Sequence, residues 1–60
     1  MQYKNRHITL LTEIILIAMQ LKFTVMESRN DQYILTTIDY EKIQQIKQLI
    51  TELEELDFTS

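Results

Sequence analysis

The 60-residue chain has no cysteine, glycine, proline or tryptophan, and only one histidine. Without cysteine there is no disulfide framework and no thiolate metal site. His7 alone does not make a zinc site, so neither metal nor cofactor is expected. Without glycine, no loop can bring a row of backbone amides close to a phosphate. Nucleophilic catalysis needs a nucleophile, a base and an orienting group; the serines are only Ser28 and Ser60, and His7 lies near one end. The expectation is a protein that is not an enzyme. Basic residues are also scarce, with six Lys and Arg against nine Asp and Glu, a net charge of −3 and a pI of about 4.9. A nucleic-acid binder normally carries a basic stripe, so nucleic acid is not an expected partner.

Long apolar runs are missing too. The longest, residues 14–19, falls well short of the ~20 residues that cross a bilayer, and Glu13, Gln20 and Lys22 bracket it. Lys4 and Arg6 precede it, but no small-residue cleavage site follows. The expected setting is the cytoplasm, without membrane.

What is present is 45% hydrophobic and 25% charged residues, a globular balance. The length suits one domain, residues 1–60. A chain this small buries only ~60% of the surface that its unfolded form exposes. Ordering it costs ~1.5 kcal/mol per residue, which leaves a lone monomer near balance. With disulfides and metal excluded, self-association is the remaining source of stability, and a homodimer is the expected state.

The hydrophobic rhythm divides the chain into four segments. Over residues 6–19, Ile8, Leu11, Ile14, Ile15 and Ala18 fall on one helical face, while Leu10, Leu16, Ile17 and Met19 lie off it. Such a helix is apolar nearly all round and needs cover on several sides. From Met19, apolar Leu21, Phe23 and Val25 alternate with Gln20, Lys22 and Thr24, the two-residue rhythm of a strand reaching about Ser28. The turn-like cluster of residues 29–32 follows, with Asn30 and Asp31 at its centre. Residues 33–38 are rich in β-formers and read as a second strand. Asp39 then caps a final helix, with Ile38 and Ile43 as a hydrophobic staple. Ile43, Ile46, Leu49, Ile50, Leu53 and Leu56 form its apolar stripe. The expected fold is α+β: helix, two-stranded antiparallel hairpin, helix, in a single small domain that oligomerises.

Three groups of residues are candidates for function. Leu11, Ile14, Ile15, Ile17 and Ala18, with Ile46, Ile50 and Leu53, supply the apolar surface for self-association. Glu52, Glu54, Glu55 and Asp57 make an acidic end to the last helix, opposed to its dipole. In the favoured reading that end is plainly solvated, or the two helices run antiparallel and Lys4, Arg6 and His7 balance it; in the competing reading it is a surface for a basic partner. Lys4, Arg6, Lys22 and Arg29 are the basic residues that a symmetric dimer would have to gather for a nucleic-acid contact.

The stretch from Phe23 to Leu56, read as strand, polar turn, strand, Asp cap and amphipathic helix, resembles the wing and dimerisation helix of winged-helix repressors. That resemblance implies a DNA-associated transcriptional regulator. The place of a recognition helix, however, holds the apolar first helix, and the wing has only Arg29. The favoured expectation is therefore a small regulatory or inhibitory protein that binds an unidentified protein client as a homo-oligomer. Its Ile, Thr, Asn and Gln content suits a phage or mobile-element product. The dimeric DNA-associated regulator is the alternative, and a self-assembling structural subunit is a third.

Overall fold

The computed structural model describes residues 2–59, and the side chains of residues 4–56. It contains two helices, α1 (Gln2–Glu27) and α2 (Thr37–Thr59), joined by a nine-residue connection. No strand forms among the described residues. The α+β expectation is therefore overturned: the chain is an antiparallel helical hairpin, with extents of 45 × 16 × 14 Å.

The first expected strand is the last part of α1. Its alternation spans only four apolar residues, and a helix absorbs it by turning Leu21 toward α2 and Phe23 and Met26 away. No glycine or proline interrupts residues 19–27. Extending an existing helix adds one hydrogen bond per residue fixed, whereas a separate β-hairpin needs its own nucleus. The β-forming threonine is accommodated as well, because the Thr24 hydroxyl donates to the Gln20 carbonyl at 2.9 Å. Once the first strand is lost, residues 33–36 have no strand to pair with, and they join the connection. The likeness to a winged-helix wing falls with the β-hairpin.

α1 ends without a left-handed residue, as none of the described residues has positive φ. The Ser28 amide instead donates to the Val25 carbonyl at 3.1 Å, a tightened last turn, and the Ser28 hydroxyl accepts from the Asn30 amide at 3.3 Å. The start of α2 also differs from expectation. Thr36, not Asp39, is the N-cap: its carbonyl accepts the first helical bond, from the Tyr40 amide at 3.0 Å. Asp39 stands three residues on and closes a reciprocal capping box. Its carboxylate accepts from the Thr36 amide at 2.9 Å, and the Thr36 hydroxyl accepts from the Asp39 amide at 3.3 Å. Ile38 is exposed, so it does not form the expected staple.

The seam between the helices follows the heptad spacing of three and four residues. From α1 it takes His7, Leu10, Ile14, Ile17 and Leu21; from α2, Lys42, Ile43, Ile46, Leu49, Leu53 and Leu56. Among the described residues only Leu10 is a fully buried apolar side chain. Leu10 and Ile17, which the sequence rhythm placed off the main face, are thus in the seam. Leu11 and Ile15 are exposed.

Candidate functional site

Successive α1 residues are rotated by about 100° at 3.6 residues per turn. On that wheel the polar Thr9, Glu13, Gln20, Thr24 and Glu27 share one narrow arc. The seam lies to one side of this arc, and a second apolar face lies on the other. The second face carries Ile8, Leu11, Ile15, Leu16, Met19, Phe23 and Met26, each about half exposed, from 44% at Met19 to 64% at Met26. Its backbone of spacing is again three and four residues: Ile8, Thr12, Ile15, Met19, Lys22, Met26. The one hydroxyl in that row is already satisfied, since Thr12 donates to the Ile8 carbonyl at 2.8 Å. An apolar partner could cover this face without stranding a polar group. Lys22 has a long apolar stem that can lie along such a partner while its ammonium reaches water.

The exposed surface as a whole is large for a chain of this mass. A folded monomer of 7.3 kDa exposes about 4,200 Å² by the usual scaling of area with mass. The chain exposes 5255 Å². Contiguous apolar patches of several hundred Å² on a soluble protein mark contact surfaces.

Of the residues expected to drive self-association, the structure divides the set. Ile14, Ile17, Ile46 and Leu53 are spent in the seam within one chain, while Leu11, Ile15, Ala18 and Ile50 remain exposed. Leu16, Met19, Phe23 and Met26 belong to the outer face and were not singled out from the sequence as contact residues. Their signal is the spacing of Leu16, Met19, Phe23 and Met26, which the sequence rhythm divides between off-face residues and a strand.

The acidic end of α2 meets the basic start of α1. Arg6 donates to Glu52 across the hairpin at 3.3 Å, with both side chains about half exposed. Each helix end here carries charge unfavourable to its own dipole: α1 has no acid in its first turn, and α2 no base in its last. Setting the two ends side by side offsets both. Glu54 and Glu55 are exposed, and the Asp57 side chain lies outside the described residues. Shallow, open hollows border this end, one lined by Arg6, Glu52, Glu55 and Leu56 and the other by the polar outer side of α2.

The four basic residues considered for nucleic acid are not gathered within the chain. Lys4 and Arg6 are at the open end of the hairpin, whereas Lys22 and Arg29 are near the connection, ~27 Å away along α1 at 1.5 Å per residue. No group of three metal-binding side chains comes together among the described residues.

At the closed end, the connection is tied to α2 through Asp39, a buried carboxylate with 3% exposure. The Tyr33 hydroxyl donates to it at 2.7 Å, beside the Thr36 amide. The Thr36 amide first, then the Tyr33 hydroxyl, hold the Asp39 carboxyl below the usual carboxylate range, against the opposing effect of burial. The Thr36 hydroxyl and the Lys42 charge add to that lowering. In turn, the bond to Asp39 pushes the Tyr33 phenol above its ordinary value, helped by desolvation and by the Asp39 charge.

Comparison with known protein families, with curated proteins and with solved structures finds no match to this chain.

Proposed function

We propose that this chain is a small, non-enzymatic, cytoplasmic protein that acts by binding protein through the outer face of α1. The observation that carries the reading is that face itself: large apolar side chains at helix-packing spacing, left uncovered by the hairpin. The pairing of helix faces across such a spacing is how bundles and helix-in-groove complexes are built. A regulatory or inhibitory role fits a protein whose chemistry is confined to surface contact.

A second reading has its own support. The stretch Lys4–Glu27 is long and apolar enough to cross a membrane. The expectation that the run was too short counted only residues 14–19, and α1 carries it much further. Two features weigh for protein over lipid. Glu13 lies near the middle of the stretch, and a charged side chain at the bilayer centre costs ~2.5–3.5 kcal/mol. Spanning would also pull α1 from its heptad seam with α2, whose other side is polar with Gln44, Gln45, Lys47, Gln48 and Thr51.

The test is a photo-reactive side chain at Met19 in cells, read together with fractionation. The proposal predicts a soluble chain and a protein adduct that a probe at Gln48 does not give. A chain recovered only from the membrane fraction, released by detergent but not by alkaline salt, contradicts it and establishes the second reading.

A further inference from the structure

Resting on that reading, we infer that the protein which covers the outer face of α1 is a second copy of this chain, docked by the same face. The area argues for it. Taking roughly 200 Å² for a fully exposed side chain, the middle of the aromatic range and an upper figure for Ile, Leu and Met, the half-exposed residues of the face offer up to ~700 Å² per copy. Two copies would then bury up to ~1,400 Å² together, inside the ~1,200–2,000 Å² of a standard stable interface. The excess of the chain's 5255 Å² over the area scaling is about 1,100 Å², so one such contact accounts for most of it.

The fold argues for a copy rather than a foreign partner. With Leu10 as the one fully buried apolar side chain among the described residues, the lone hairpin has hardly any core. It needs cover in order to be stable, before any client is met. The surface always at hand is the same face of another copy, and a two-fold contact uses it on both sides. Such a pair sets the two α1 helices at the centre and the two α2 helices outside. The outer side of α2, with Gln44, Lys47, Gln48 and Thr51, remains in water. Thr12 enters the contact with its hydroxyl already bonded to Ile8.

The natural absence of cysteine makes the test clean. Ile15→Cys and Met19→Cys place single thiols on the central row of the face, and Gln48→Cys places one on the polar side of α2. The purified full-length variants are oxidised in dilute solution and read for covalent pairs. Thiols held on facing helices meet at an effective concentration far above that of free chains. The expected result is cross-linking at Ile15→Cys or Met19→Cys faster than at Gln48→Cys by about tenfold or more. Using two central positions keeps the test valid where one substitution disturbs the fold. Equal, slow cross-linking at all three positions overturns the second copy. If the Met19 photoprobe still captures another protein in cells, the protein-binding reading stands while this inference fails. If the purified chain instead inserts into phosphatidylcholine vesicles and shows no central cross-link, both fail.

Discussion

Replacing Leu10 by alanine tests the seam on which the hairpin rests. Leu10 is wholly shielded from solvent, second in the heptad row of α1 that runs from His7 to Leu21. Truncating a buried leucine costs ~2.7–5 kcal/mol, with the larger values where the surroundings cannot collapse into the space. Here the neighbours in the seam are only half-buried, so relaxation is easy and ~3 kcal/mol is the fitting figure. A 60-residue chain at ~0.05–0.15 kcal/mol per residue has ~3–9 kcal/mol in all. Leu10→Ala should therefore remove a third or more of the stability. Urea unfolding followed by helical circular dichroism at fixed chain concentration reads this directly, as a lower midpoint at unchanged slope. Leu16→Ala is the informative partner. In a lone hairpin an exposed leucine changes stability by less than ~0.5 kcal/mol. In the paired form, burying its remaining surface at ~25 cal/mol per Å² is worth ~2–3 kcal/mol per copy, and the midpoint moves with concentration. A Leu10→Ala variant as stable as the parent would refute the seam as the centre of the fold.

The capping box sets two further expectations. Thr36→Ala should cost about 1 kcal/mol, the usual loss of an N-cap, and loosen the first turn of α2 in amide exchange. Because folding lowers the Asp39 pKa, its contribution is complete above the ordinary carboxylate pKa and is lost as pH falls through the folded value. Acid unfolding monitored with and without Tyr33→Phe checks this: the variant should lose the contribution at higher pH, since one donor to the carboxylate is gone. Arg6→Ala should cost only ~0.2–1 kcal/mol, as an exposed pair does. That small difference should vanish in high salt, where screening shortens the reach of charge.

The second helix was readable in the sequence because its apolar stripe is one-sided, from Ile43 to Leu56. Its start was displaced because Thr36 and Asp39 are both good caps, and Thr-x-x-Asp uses a shorter acid than the usual Glu or Gln. α1 was harder to read for a physical reason. A helix with two apolar faces presents no single hydrophobic direction, so its seam of His7, Leu10, Ile14, Ile17 and Leu21 is hidden among Ile8, Leu11 and Ile15. Where the polar residues Gln20, Lys22 and Thr24 happen to alternate with apolar ones, a helix and a strand share the same pattern over that short window. Only the helix also aligns Leu16, Met19, Phe23 and Met26, the exposed side chains on which the proposed contact rests. The ion pair of Arg6 with Glu52 follows from antiparallel helices alone, whichever kind of connection joins them.

Sedimentation equilibrium of the unaltered chain in detergent-free buffer bears most directly on the account. A chain that covers the outer face of α1 with its own copy sediments at twice 7.3 kDa, dissociating and losing helicity together on dilution. A species of 7.3 kDa that stays helical and unfolds cooperatively at every concentration would contradict it.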